Sequence, residues 1–264
     1  MSKFFKLKKL ILQTLFLYIF LIMNNSLAVG KYYQGESVSN YFAGIISLQD
    51  NKYSDSYNFL KKLEDLENDH SEYSYAYLET LVNNSKINEA FRYSNKLKKK
   101  EMNFFQSDIV VLSKFIKKGE FNKAYEYSSF LNKKNYTPLQ KLLNQIIFNW
   151  VKVEYKNLNY KDAKEIFQSI SPKYKNIKKI NNVFLNCYFD TYLTDTKFQN
   201  LIQERETDFS RYTFFYVNYL IKKDLPKKAD LILASKLKEV PRNLLLNQVH
   251  LDLKKKKQSY LKTK

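Results

Sequence analysis

Glycine and proline are nearly missing from this chain, with four of each in 264 residues. Four scattered glycines cannot build a phosphate-cradling loop, which needs several close together. The prolines, Pro138, Pro172, Pro226 and Pro241, fall where helices should start or stop, as suits a ring without an amide hydrogen. The chain therefore reads as nearly all helix. Cysteine is rarer still: Cys187 stands alone, so no internal disulfide can form. Its place in the apolar run 183–188 marks it as a buried packing residue rather than a redox thiol. The two histidines, His70 and His250, lie far apart, and neither has a second histidine or cysteine at ligand spacing. The sequence thus offers no catalytic, cofactor-binding or metal-binding residues.

Arginine is scarce as well, at positions 92, 205, 211 and 242 only, so the basic excess is carried by lysine. The net charge is +19. Specific phosphate recognition leans on the arginine fork, so nucleic acid is a disfavoured partner, although the charge keeps a helical-repeat nucleic-acid binder as an alternative. A strongly lysine-rich protein is still drawn to anionic surfaces such as lipid headgroups. The acidic cluster Glu64, Asp65, Glu67 and Asp69 reads as a solvated face and turn.

Residues 1–28 have the three-part pattern of a secretory signal. Lys3, Lys6, Lys8 and Lys9 lead an apolar stretch from Leu10 to Met23, and Ser26-Leu27-Ala28 supplies small residues for cleavage. This largely apolar stretch of 14 residues is short of the roughly 20 that span a bilayer. The expectation is a periplasmic protein; an uncleaved leader would instead leave it anchored at the inner membrane. Residues 29–36 form a flexible lead-in holding two of the four glycines.

What is present in abundance is a repeat. Ser56, Ala90 and Ala124 follow one another at intervals of 34, each three places after a bulky apolar residue: Tyr53, Ile87 and Phe121. Gly44, Leu78 and Leu112 lie twelve places before the small residue, and Leu63, Leu97 and Leu131 seven places after it. Asn51, Ser85 and Gly119 sit five places before it, where a turn belongs. Small side chains at Gly44, Ser56, Ala90 and Ala124 let paired helices cross closely. Phe59, Leu60, Leu63, Tyr77, Leu78, Leu81, Leu112, Phe115, Tyr125 and Leu131 recur at helical spacing as a continuous core.

This interval and spacing resemble the tetratricopeptide repeat family, which also includes signal-bearing bacterial proteins. The resemblance implies an all-α, right-handed solenoid of antiparallel helix pairs. Three regular units occupy 37–138, and degenerate helix pairs follow over 139–248. It further implies a groove lined by the first helix of each pair, which holds a protein or peptide partner. The groove residues are then Tyr41, Ile45 and Leu48 in the first unit, Tyr75, Glu79 and Val82 in the second, and Ile109, Ser113 and Ile116 in the third. The family's lysine and asparagine clamp for a C-terminal carboxylate has no counterpart, because Tyr41, Ile45, Ala76, Gln106 and Val110 stand at its positions.

Past Pro138 the register loosens. Ala163 comes 39 residues after Ala124, which requires an insertion. Pro172 should close that unit, a fifth pair should run over 183–193 and 197–205, and a sixth over 212–221 and 226–237, with Ala229 as its small residue. Trp150 reads as a packing anchor. Residues 249–264, with the lysine run 254–257, read as a basic tail or the open end of an array. Three roles fit: an exported scaffold binding envelope proteins or peptides, a nucleic-acid binder, or an accessory subunit of an envelope enzyme or transporter.

Overall fold

The computed structural model describes residues 35–68, 70–204 and 206–262, with the side chains of 64, 65, 67 and 255–262 left aside. The leader, the lead-in as far as 34, and the side chains of the acidic cluster lie outside the described residues.

The described residues form thirteen α-helices and three short 3-10 segments, with no strand among them. In chain order the helices are α1 (Gly35–Gln49), α2 (Tyr53–Leu60), α3 (Ser71–Asn83), α4 (Ile87–Lys99), α5 (Phe105–Lys117), α6 (Phe121–Leu131), α7 (Pro138–Tyr155), α8 (Tyr160–Gln168), α9 (Lys175–Tyr188), α10 (Thr194–Ile202), α11 (Thr213–Lys222), α12 (Pro226–Glu239) and α13 (Leu244–Lys262). Helices α1–α2, α5–α6, α7–α8, α9–α10 and α11–α12 pack as hairpins, α3 and α4 are joined by a turn of the same kind, and α13 packs on α11 and α12. No described helix is long and apolar enough to cross a membrane.

Each hairpin turn is closed by the same device. Asn51, Ser85, Gly119, Asn157, Asp190 and Asp224, one after each odd helix from α1 to α11, adopt positive φ between 47° and 71°. The amide after each of them donates back to a carbonyl five residues earlier: Lys52 to Ser47, Lys86 to Leu81, Glu120 to Phe115, Leu158 to Val153, Thr191 to Asn186 and Leu225 to Leu220, at 2.8–3.0 Å. This left-handed cap satisfies helix-terminal carbonyls that would otherwise lack donors. Three of the six are the repeating turn residues seen in the sequence.

The chain divides within α4 into a first unit ending at Tyr93 and a second beginning at Ser94. In the first unit α1 lies so close to α2 that a Cβ on Gly44 would stand 2.6 Å from Leu60 Cγ and Cδ2. Ser56 and Thr80, both fully buried, share a 2.8 Å hydrogen bond from α2 to α3. Tyr73 donates to the Leu60 carbonyl at 3.0 Å, and Tyr93 to Ser74 Oγ at 3.0 Å. His70 caps α3 by accepting from the Tyr73 amide at 3.3 Å. Helix α2 stops at Leu60 and 3-10 geometry takes over through Asn68, kinked at Leu63. Leu60, Leu63 and Leu66, all buried, recur every third residue, which is the 3-10 period.

In the second unit Ala124, Ala163 and Ala229 are fully buried at the hairpin crossings. Of the residues expected in the core, Phe59, Phe115 and Tyr125 are only half-buried and the rest are buried. Helix α7 has 18 residues against 13 in α3 and in α5, and this extra length accounts for the 39-residue interval. A capping box between Thr137 and Gln140 starts it, with Pro138 in its first turn. Trp150, on α7, packs on Phe167 at 5.0 Å between ring centroids and donates to Asn181 Oδ1 at 2.9 Å.

Four expectations need correction. Pro172 opens a 3-10 turn leading into α9 rather than closing a unit, and α9 starts at Lys175, eight residues before the expected Val183. Cys187 is half-buried, not a core residue. The supposed tail over 249–264 belongs through Lys262 to α13, whose Leu246 and Leu253 are buried in one cluster with Tyr216, Leu220 and Leu233 of α11 and α12.

Candidate ligand-binding clefts

The nine groove residues expected from the sequence lie on odd helices and none is buried. In the first unit Tyr41, Ile45 and Leu48 are half-buried on α1, and the Tyr41 ring rests on His70 at 5.0 Å. Burial, then the charge of Glu72, holds the Tyr41 phenol above its ordinary value. Tyr75, Glu79 and Val82 form an exposed stripe on α3, with Tyr75 at 44% and Val82 at 38% exposure. In the second unit Ile109 and Ile116 are half-buried and Ser113 is exposed on α5.

The second unit also holds two clefts. The first, of about 640 Å³, lies between α9 and α11 and is lined by Phe184, Cys187, Phe214, Phe215, Asn218 and Tyr219, with Asp190, Lys222 and Lys223 at one end. Phe184 and Phe215 meet edge to face at 5.1 Å between centroids, and Phe215 is 43% exposed. At the charged end Lys223 pairs with Asp190, which also accepts from the Tyr219 hydroxyl at 3.4 Å. Burial pushes the Cys187 thiol above its ordinary value, with Lys222 opposing, so the sulfur stays a neutral part of the wall.

The position of this cleft in the repeat is informative. Counting back from the left-handed turn residue, Phe184 occupies on α9 the place that Ile45 has on α1, and Cys187 the place of Leu48. On α11, Phe214 and Asn218 correspond to Tyr41 and Ile45. Four of the nine lining residues therefore stand at repeat positions expected to face a groove, and Phe215 and Tyr219 each stand one place after such a position. The signal was available: Asp224 precedes Ala229 by five residues, as Gly119 precedes Ala124.

The second cleft, about 470 Å³, opens on the other side of α9, among α8, α9 and α10. Its lining includes five lysines and a single acid, Glu204.

The second unit also contains a carboxylate hub away from both clefts. Asp108, fully buried in the first turn of α5, accepts from Tyr127 at 2.6 Å, Asn103 at 2.5 Å, Lys134 at 2.9 Å and the Tyr136 hydroxyl. Burial raises its pKa, but the four donors outweigh it and the carboxyl lies below its ordinary value. Burial and the adjacent carboxylate push the Tyr127 and Tyr136 phenols far up. Asp195 is a lesser counterpart, held below its ordinary value by Lys228 and Tyr216 against the effect of burial. These groups are structural staples. Among the described residues no three His, Cys, Asp or Glu side chains converge as a metal site would require.

No protein-family model matches the chain, and no curated protein sequence matches it either. Solved structures do. The complex of NprR with its cognate peptide NprX superposes with a TM-score of 0.57 at 12% identity, covering 97% of this chain and 81% of that one. The apo form of the quorum sensor NprR from B. thuringiensis gives 0.54 at 12% identity, over 94% and 76%. Cut9–Hcn1, the APC/C hetero-tetramer, gives 0.51 at 13% identity, over 89% of this chain and 46% of that one. These are helical-repeat proteins of tetratricopeptide type, and the likeness establishes the same all-α fold of helix pairs here.

Proposed function

We propose that this chain is an exported, non-catalytic scaffold that binds a segment of an envelope protein or peptide at an odd-helix face. The observation that carries this reading is that Phe184, Cys187, Phe214 and Asn218 of the α9–α11 cleft stand at groove-facing positions of the repeat, with Phe215 beside Phe214. An exposed phenylalanine edge beside a partly desolvated aromatic wall, with an ammonium at one end, suits an apolar side chain next to a carboxylate. One structural neighbour is a complex with a cognate peptide, which supports a peptide as the class of ligand. What supports export is the charged, apolar and small-residue pattern of 1–28.

Selection of a displayed peptide library on the purified chain, followed by fluorescence anisotropy of the winners, tests the groove. Phe215→Ala should weaken binding about tenfold or more, as expected for an aromatic anchor at a hot spot. Equal affinity for Phe215→Ala, Tyr41→Ala, Tyr75→Ala and the parent chain would remove the odd-helix face from consideration. Mass spectrometry of the mature protein should find Val29 at its N-terminus, and an intact Met1 would count against export.

A further inference from the structure

We propose that the α8–α10 cleft is a second, separate binding site, built for an acidic peptide segment that carries apolar side chains. Three helices each turn one face into it: Lys164, Phe167 and Gln168 from α8, Lys175 through Leu185 at helical spacing from α9, and Lys197, Asn200 and Leu201 from α10, with Glu204 just past its end. Phe167, Val183, Leu185 and Leu201 close its base but are each no more than 3% exposed, so the apolar wall it presents is that of the lysine methylene stems. Its rim is cationic. Lys179 is paired with Glu204, and Lys175 reaches Glu206 only at 3.9 Å with both side chains in solvent. Lys164, Lys178 and Lys197 have no carboxylate partner among the described residues; Lys178 donates to the Gln168 carbonyl at 2.8 Å, which leaves its charge uncompensated.

Three uncompensated ammonium groups around a recess raise the local concentration of anions. The kind of anion follows from the side chains. Every cation lining the cleft is lysine, a compact point charge, and none is arginine, whose fork favours phosphate. A free phosphate would leave the apolar lysine stems unused, and a bilayer is too flat to enter a recess lined on three sides. A peptide alternating carboxylate and apolar side chains satisfies the ammonium groups and the stems together. This site is independent of the odd-helix groove, because the α9 residues that line it lie across the helix from Phe184 and Cys187.

The test uses the full chain and a labelled eight-residue peptide of alternating Glu and Leu, read by fluorescence anisotropy at physiological salt. Net charge alone must be controlled for. Lys164→Glu with Lys197→Glu is therefore compared with Lys117→Glu and Lys133→Glu, exposed positions outside the cleft that change the charge equally. Circular dichroism verifies the fold, and Gln replaces Glu in the cleft pair if the reversal fails to give the parent spectrum. The cleft pair should lose about tenfold in affinity, the sum of several rim interactions, and the control pair less than twofold. Equal losses in both pairs would overturn the proposal in favour of diffuse charge attraction. So would absent peptide binding, or a cleft-dependent preference for phosphatidylglycerol vesicles, inorganic phosphate or a single-stranded oligonucleotide over the peptide.

Discussion

The first unit, ending at Tyr93, and the second, beginning at Ser94, solve one packing problem with different chemistry. In the first, helices are joined through neutral hydroxyls: Ser56 to Thr80, Tyr73 to a carbonyl, Tyr93 to Ser74. Its described carboxylates stay near the surface, as Glu89 does where it accepts from Tyr57 at 2.9 Å and pairs with Lys86. In the second unit a carboxylate itself is buried, and Asp108 draws four donors from α6 and the flanking loops onto the start of α5. A repeat fixes where helices cross, but not the polar chemistry that locks them. That chemistry sets how each part responds to pH and mutation.

Removing the hub should produce the largest difference. Asp108→Asn strands Lys134 and rearranges two buried phenols, and it should cost about 3 kcal/mol. Hydrogen exchange resolved by segment should show the loss over residues 105–136 while α1 to α3 keep their protection. The reciprocal test is Gly44→Val, which drives a branched side chain into Leu60 and should cost about 2 kcal/mol, read as lost protection in α1 and α2. If either variant lowered protection equally in both units, the contrast between them would fail.

Acid distinguishes the units without mutation. The folded pKa of Asp108 lies below its unfolded value near 4, so its contribution is full above about pH 4 and is lost as pH falls through the depressed folded value. Tyr127 and Tyr136 have folded values raised above about 10, so their contribution is present below pH 10 and disappears only as pH rises through the raised values. Segment-resolved exchange should therefore show α5 and α6 losing protection before α3 on acidification, and Asp108→Asn should abolish that order. The smallest effect concerns the turns, common to both units. Ser85 pays about 1–2 kcal/mol for its left-handed backbone. Ser85→Gly should recover about 0.5 kcal/mol after the added chain entropy of glycine, seen as a small rise in Tm.

Much of the hairpin architecture could be read from single residues. Asn51, Ser85 and Gly119 are the left-handed turns, and Gly44, Ser56, Ala90 and Ala124 sit at buried or sterically closed positions. The start of α9 was hidden because Lys175, Asn176, Lys178 and Lys179 mask the spaced Ile177 and Ile180 with polar neighbours. The lysine run 254–257 concealed α13 in the same way, although Leu246, Val249 and Leu253 hold a helical stripe. The α9–α11 cleft went unread because extending the turn count past Gly119 required crossing the longer α7. The basic cleft had no local signal, since its lysines come from three helices and look like solvated surface until those helices are folded together.

The six left-handed caps carry one more implication. Each odd helix closes its carbonyls through residues only five apart in the chain, so the instruction to reverse direction is complete as soon as that short stretch has been synthesised. A polypeptide whose bends are specified so locally can assemble hairpin by hairpin as it emerges, and each finished hairpin becomes the template for the one behind it.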